Sequence, residues 1–242
     1  MKALNNYINM KHINTYIVEK LKISKNKRTE YTLFPKYREE LIDMITKEIQ
    51  RNGNECSLNH IDVSKITDMN FLFSDDEWNP DISEWDVSNV KNMRCMFYNN
   101  PVFNGDLSNW DVSNVENMCD MFFNTIFDND SICDWDVSNV KYMNGMFDHA
   151  AFNYSLNNWD VSNVREMSQM FYEASYDKPL NNWDVSNVID MTDMFNTGDF
   201  SQDISMWKIN PNCKITMIFT DSKIKDSYKP KCLKKQNAPT FI

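Results

Sequence analysis

The chain has 242 residues, of which 42% are hydrophobic and 13% aromatic. This composition is sufficient for a buried core and excludes a low-complexity or disordered chain. Only four glycines are present, and the phosphate-cradling patterns Gly-x-x-x-x-Gly-Lys and Gly-x-Gly-x-x-Gly are both missing from the sequence. Composition therefore argues against a nucleotide-binding enzyme.

The formal net charge of −10 is distributed unevenly along the chain. Residues 1–55 carry 11 Lys/Arg against 7 Asp/Glu, and residues 221–242 carry 6 against 2. The 165 residues between them carry 8 against 26, a balance of −18. Because such an acidic segment repels phosphate backbones, we expect no nucleic-acid ligand. The basic residues 221–242 are interpreted as a solvated C-terminal tail.

The first 55 residues contain one clear amphipathic pattern. Residues 39–50 follow Pro35, precede Gly53 and carry apolar residues at helical spacing, namely Leu41, Ile42, Ile45 and Ile49. This pattern predicts a helix that caps the N-terminal end of residues 56–220. Residues 3–22 are expected to form one or two further helices, and residues 24–30 a charged linker. Two roles stay open for residues 1–55, a helical cap and an anchoring arm.

A six-residue segment, Trp-Asp-Val-Ser-Asn-Val, recurs unchanged five times, beginning at Trp85, Trp110, Trp135, Trp159 and Trp183. Each copy leads into the same Met-x-x-Met-Phe ending. Degenerate copies at residues 61–73 and 207–219 bring the number of units to seven. A unit of 24 or 25 residues is too short to bury its own apolar face, so the units must stack on one another. The sequence therefore predicts a solenoid.

The apolar spacing changes within each unit. Trp110 and Val112 are two residues apart, which predicts a short strand with both side chains on one side. From Val115 to Met118 and Met121 the spacing becomes three, which predicts a short helix or 3₁₀ turn, with Ser113 as its cap. The 16 methionines are explained mainly by these Met columns as adaptable core residues.

The full pattern, Leu-x-x-Trp-x-Val-Ser-x-Val-x-x-Met-x-x-Met-Phe, resembles the BspA-like leucine-rich repeats, the type also found in Mycoplasma lipoproteins. The resemblance covers residues 56–220. It implies an α/β repeat solenoid, a right-handed leucine-rich-repeat-like array with a parallel sheet on one face and short helices or 3₁₀ turns on the other. It also implies a link to surface adhesion and protein binding, and no catalytic site. We expect three regions: 1–55, the solenoid 56–220, and the tail 221–242.

Six of the seven units carry an Asp directly after the Trp position, in the column Asp62, Asp86, Asp111, Asp136, Asp160 and Asp184. Stacked strands would set these like charges about 4.8 Å apart, which needs a compensating interaction. One explanation is a local hydrogen bond from the backbone N–H two residues on. The other is a cationic partner or Ca²⁺. Identical Asp residues in every copy favour the local bond. A parallel Asn column at 89, 114, 139, 163 and 187 is expected to satisfy backbone groups of the bend.

No catalytic, metal-binding or cofactor-binding pattern emerges from the remaining polar residues. The six cysteines lack metal-ligand spacing and favour reduced thiols in an intracellular protein. The three histidines are scattered, and no Cys–His or Ser–His pairing can be argued from the sequence. We therefore predict a protein that is not an enzyme and has neither metal nor cofactor.

No secretory signal and no transmembrane stretch is found in the sequence. This predicts a cytoplasmic or virion-associated protein, and separates the chain from surface proteins of the family, which normally carry a leader. Residues 7–27 are similar to proteins of tailed phages that infect gut bacteria. Surface display therefore remains an alternative without support from a leader sequence.

Three functions are consistent with these patterns. The first is a non-enzymatic scaffold whose acidic face holds a protein or peptide partner of basic character. The second is a structural or adhesive component of a phage virion or bacterial surface, anchored by residues 1–55. The third is a Ca²⁺-dependent binding module on the Asp column. Candidate partner-binding residues are Glu84, Asp86, Asn109, Asp111, Asp134, Asp136, Asn158, Asp160, Asn182, Asp184 and Met206.

Partner contacts are also expected where the repeats differ. The residue after the Phe of each unit varies, with Tyr98, Phe123, Asp148, Tyr172 and Asn196 at this position. These positions are a second place to look for a binding surface.

Overall fold

The computed structural model describes residues 30–233. The helices predicted in residues 3–22, the phage-like segment 7–27, nearly all of the linker 24–30 and the last residues of the basic tail lie outside this range. Within it, one α-helix, α1, spans Arg38–Asn52, and two short 3₁₀ helices span Asp130–Ile132 and Asp226–Tyr228.

Helix α1 confirms the helix predicted from the apolar spacing. Leu41, Ile45 and Ile49 are buried at 0%, 1% and 4% exposure and belong to the same core as the repeats, whereas Ile42 is only partly buried. The helix ends at Gly53, whose φ of 92° is readily adopted only by glycine. At the other end, Arg38 Nε donates to the Asn70 carbonyl at 2.6 Å. The helix thus packs against the first repeat.

The predicted α/β solenoid with a parallel sheet is wrong. Residues 30–233 contain isolated parallel bridges and no sheet, and the Trp-x-Val segments do not form strands. Six of the eight bridges in this range lie instead just before the first Met position of each unit and connect Asp68, Asn92, Asn117, Tyr142, Glu166, Asp190 and Lys214 in succession. The other two join Leu33 to Ile61 and Ser57 to Asp81. Neighbouring repeats therefore lie side by side, as the repeat period required, but each bridge involves one residue per repeat.

Of the short helix or 3₁₀ turn predicted for the Met-x-x-Met-Phe segment, the helix is wrong, and the backbone shows why. Two residues in each unit, four apart, have φ between about 50° and 60°, for example Asp120 and Asn124. A left-handed residue every fourth position interrupts a right-handed helix before it completes two turns. The segment forms a series of turns, so the expected helix-capping role of Ser113 is not seen.

These turns direct every second backbone N–H toward the next repeat. The N–H groups of Met118, Asp120, Phe122 and Asn124 donate to carbonyls of residues 142–148. We call such a set of four alternate N–H groups a donor row. Six successive repeats have complete donor rows, with N···O distances of 2.7–3.0 Å. All of these bonds run in one direction along the chain, from each repeat to the following one.

The core runs lengthwise between the repeats, and aromatic rings mark its path. Seven phenylalanines stack in a column with centroid separations of 5.5–5.9 Å: Phe73, Phe97, Phe122, Phe147, Phe171, Phe195 and Phe219. Each Trp from 85 to 207 is buried, and its indole N–H donates back to a carbonyl of the preceding repeat at 2.8–3.3 Å. The Trp column therefore contributes hydrogen bonding between repeats as well as apolar burial.

Candidate functional site

The Asp residues that follow the Trp column form an exposed strip, which we call the acidic column: Asp86, Asp111, Asp136, Asp160 and Asp184. In each, one carboxylate oxygen accepts the backbone N–H of the Ser two residues on, at 3.0–3.1 Å. Asp62 does the same for Ser64 at 3.1 Å. This confirms the predicted local hydrogen bond and explains why six of the seven units carry Asp at this point.

The Asn column confirms its predicted structural role as well. Asn89, Asn114, Asn139, Asn163 and Asn187 each donate Nδ2 to a Ser carbonyl of the preceding repeat, at 2.7–2.9 Å. The two columns therefore fix the same bend twice. Asp fixes it within a repeat, and Asn fixes it between repeats.

The eleven candidate residues all lie on the surface of the molecule. A shallow depression of about 320 Å³ brings four of them together, namely Asn158, Asp160, Asn182 and Asp184. Met206 is 80% exposed, the most exposed of the large apolar side chains. The expectation that Trp and Val point inward and leave a polar outer face is confirmed, although that face is not part of a sheet.

Among the described residues, the carboxylates of the acidic column form no close ion pairs, although Lys208 is near enough to Asp184 to help lower its pKa. None of the five carboxylates lies within 4 Å of a Lys or Arg nitrogen in the described part of the chain. Carboxylates elsewhere do pair, as Glu116 with Lys141 at 2.6 Å and Asp190 with Lys214 at 3.1 Å. Hydrogen bonds from Ser113 and Ser186 lower the pKa of Asp111 and Asp184, so these two groups stay charged at neutral pH.

A second cluster of ionisable groups lies at the residues that follow the Phe column. His149 Nδ1 contacts Asp148, and its Nε2 lies 3.0 Å from Glu173 Oε2. The rings of Phe123 and Tyr172 flank the imidazole at 5.9 and 5.6 Å. Burial raises the pKa of Asp148 to about 6, although His149 opposes this shift.

Sequence reasoning singled out the column of Asp148 but not its pairing with His149 and Glu173. His149 and Glu173 occupy one of the two left-handed positions of their units, where they share a column with Asn99 and Asn124. Asn and Asp tolerate the left-handed conformation best. The recurrence of Asn at this position was therefore the sequence signal that could have indicated a left-handed residue there.

The cysteines offer little reactive chemistry. All six are free, and burial raises the pKa of Cys95 to about 12 and that of Cys119 to about 11, so both thiols are poor nucleophiles at neutral pH. Within residues 30–233, no three His, Cys, Asp or Glu side chains converge in a way that could hold a metal ion. The described residues also include no helix that is long and apolar enough to span a membrane.

The family comparison agrees with part of the sequence interpretation. The model of a family described as "Mycoplasma protein of unknown function, DUF285" matches residues 41–150 and 123–229. Together these matches extend over residues 41–229, well over half of the chain. No match was found among curated proteins or among solved structures. The predicted relation to Mycoplasma-type repeats is thereby confirmed, and the chain belongs to this Mycoplasma protein family of unknown function, DUF285.

Proposed function

We propose that the protein is a non-enzymatic scaffold whose acidic column holds a basic protein or peptide. The observation that carries the proposal is the row of five exposed carboxylates, none of which forms an ion pair within 4 Å among the described residues, in a chain that pairs several of its other surface carboxylates. A basic partner would supply the missing counter-charges. The resemblance to BspA-like repeats, whose proteins are linked to protein binding, supports the same function.

Electrostatics would dominate such binding. Residues 82–208 carry 20 Asp/Glu against 6 Lys/Arg. Trp and Val of each unit are buried, so the face offers carboxylates and amides, with Met206 as its apolar exception. A surface of this kind speeds the encounter with a basic partner and discriminates against acidic ones, and its binding weakens as salt rises.

The experiment compares capture from lysate by the wild-type chain and by a variant with Asp→Asn at all five positions of the acidic column. Asn keeps a side-chain oxygen for the Ser N–H, so the fold is retained while five charges are lost. We expect the variant to lose a salt-sensitive basic partner that the wild type captures. A retained partner would contradict the proposal.

A matched control changes charge away from the column. Glu55 and Glu77 are exposed, and neither side chain takes part in an ion pair or hydrogen bond within the described chain. Glu55→Lys with Glu77→Lys raises the net charge by four, close to the five of the column variant. Capture should survive in this control. Loss of capture here would show that net charge alone, and not the column, is responsible.

The Ca²⁺ alternative receives a direct test. Since each Asp of the column already accepts a backbone N–H, we expect EDTA to leave the melting temperature unchanged. Calorimetric binding of Ca²⁺ at micromolar concentration would instead favour the metal-dependent module.

A further inference from the structure

The last repeat has a donor row with no acceptor. Its four members are the N–H groups of Ile215, Met217, Phe219 and Asp221, which correspond to those of Met118, Asp120, Phe122 and Asn124. Among the described residues none of the four N–H groups has a hydrogen-bond acceptor, although all six earlier rows are complete. The row borders a groove of about 560 Å³ lined by residues 215–220 with Lys229 and Leu233.

The direction of the donor rows limits what can fill this groove. Every filled row meets carbonyl oxygens at alternate residues of a polypeptide. Two last repeats facing each other would oppose N–H to N–H, which excludes a symmetric contact between these edges. The occupant must therefore present carbonyls at the spacing of an extended or turn-rich peptide backbone, as in strand addition to an open edge.

The first repeat of a second copy would present carbonyls at the matching positions. One of these, the Asn70 carbonyl, already accepts a hydrogen bond from Arg38 Nε, and the core of the first repeat is covered at this end. Helix α1 packs its apolar face into that end, and Phe73, the first ring of the Phe column, is fully buried. Phe219, the last ring, is only partly buried and would have no ring to stack on in a second copy. Stacking of copies end to end is thus blocked unless α1 moves.

Side chains around the groove define the partner further. Met217 is 53% exposed, and Ile215 and Phe219 are partly buried beside it. Residues 213–233 carry five Lys against two Asp, a balance of +3 in an otherwise acidic array. Three of these lysines already pair with carboxylates, Lys214 with Asp190, Lys223 with Asp199 and Lys229 with Asp226, so within the described chain Lys225 and Lys231 are left for an acidic partner. Lys229 Nζ lies 5.6 Å from the centre of the Phe219 ring. This chemistry suits a peptide with apolar side chains and acidic character.

We propose that the open edge of the last repeat, residues 215–221, binds an extended acidic peptide segment with apolar side chains by backbone pairing. The site is separate from the acidic column and has the opposite charge preference. A test of this site is therefore independent of a test of the scaffold function proposed above.

The probe is a capped synthetic peptide with the sequence of residues 166–173, Glu-Met-Ser-Gln-Met-Phe-Tyr-Glu. In the protein this segment accepts the donor row of residues 143–149, so its carbonyls have the required spacing. We expect titration of the ¹⁵N-labelled full chain to shift the amide resonances of Ile215, Met217, Phe219 and Asp221 and to slow their hydrogen exchange. The absence of shifts at these amides would overturn the proposal, as would shifts confined to another part of the chain.

Met217→Asp is the variant of choice because it alters the edge without straining the backbone. Met217 has φ of 55°, and Asp already occupies the same column at Asp120 and Asp193. We expect loss of the peptide-induced shifts in this variant. Ile126→Asp, at an apolar side chain with a similar exposure of 51%, serves as the matched control and should bind the peptide like the wild type. Equal binding by Met217→Asp and the wild type would contradict the proposed edge.

Discussion

The central repeats and the last repeat share the Trp and Phe of the aromatic columns but differ in what lies beyond them. Around Trp110 to Phe122, the donor row and the aromatic columns have a neighbouring repeat on both sides. In the last repeat, Trp207 and Phe219 contact the preceding repeat, while the following side is an open groove. A central repeat therefore interacts with a neighbour on each side, and the difference identifies where stability is low and backbone is available for binding.

The most damaging change we expect is the loss of paired core side chains from a central repeat. Met121 and Phe122 are fully buried, and the Phe122 ring stacks on both Phe97 and Phe147. Replacing both by Ala should lower the free energy of unfolding by roughly 5 kcal/mol or more, since one large-to-Ala change costs about 2–5. Urea denaturation measures this, with Phe122→Leu as the milder variant if the double variant fails to fold.

The equivalent change in the last repeat tests how far the two regions differ. Ile218→Ala with Phe219→Ala removes side chains from the same columns, but Phe219 has a ring neighbour only at Phe195 among the described residues. We expect this double variant to lose less free energy of unfolding than the central double variant, by about 2 kcal/mol or more. Equal losses in the two double variants would show that the open end is as well packed as the centre.

The indole hydrogen bonds should behave differently, because they point backward along the chain. Trp135→Phe removes one of the two hydrogen bonds that the Leu107 carbonyl accepts, since the Trp110 N–H still donates to it at 3.1 Å, and should cost about 0.5–1.5 kcal/mol. Trp207→Phe should cost a similar amount, since its bond to Leu180 also points toward an earlier repeat. Thermal and urea unfolding of both variants test this. A much smaller loss of stability for Trp207→Phe than for Trp135→Phe would mean that the last repeat is also weakly held against the repeat before it.

At the surface of the central repeats, the hydrogen bond of the acidic column matters more than its charge. Asp136→Leu removes the acceptor for the Ser138 N–H and should cost about 1 kcal/mol, whereas Asp136→Asn keeps an acceptor and should change stability little. Melting temperatures of the two variants provide the measurement. If Asp136→Asn lowered the melting temperature as much as Asp136→Leu, the charge of the carboxylate, and not its hydrogen bond alone, would stabilise the fold.

A pH dependence at Asp148 should be the weakest of these effects. Its pKa is raised to about 6 in the folded protein, above its usual value of 3.8, so the folded state holds the proton more tightly than the unfolded state does. The resulting stabilisation is complete below about pH 3.8 and is lost as the pH rises through about 6. Asp148→Asn should therefore raise the melting temperature more at about pH 7.5 than at about pH 4.5, in a series measured beside the wild type. Equal shifts at both values would indicate an ordinary pKa for this carboxyl.

Local bonds were predictable where one residue and its near neighbours decide the outcome. The spacing of Leu41, Ile45 and Ile49 was enough to find α1, and the Asp at each bend was enough to infer its bond to the N–H two residues on. The inward side of Trp, Val, Met and Phe could be inferred from their recurrence, and all are buried in the central repeats. Each of these features depends on interactions that every copy repeats.

The backbone path of the repeats was not predictable in the same way. A spacing of three between Val115, Met118 and Met121 fits both a helix and a series of turns, and the apolar side chains are buried in both. The left-handed residues at Asp120 and Asn124 distinguish the two paths, but the equivalent residues in other units include Gln169, Glu173 and Met217, which carry no such preference. Hydrogen bonds to the next repeat hold these residues in place, so the conformation is set between repeats.

Residue type and spacing were enough to establish the repeat period, the seven units, the buried columns and the acidic outer face. The three-dimensional arrangement was needed to show that the repeats are joined by single bridges and one-way donor rows and not by a sheet. It was also needed to show that α1 covers one end while the edge at residues 215–221 stays open. The physical reason is that a backbone N–H looks the same at every position in a sequence, and only stacking determines whether it meets a carbonyl.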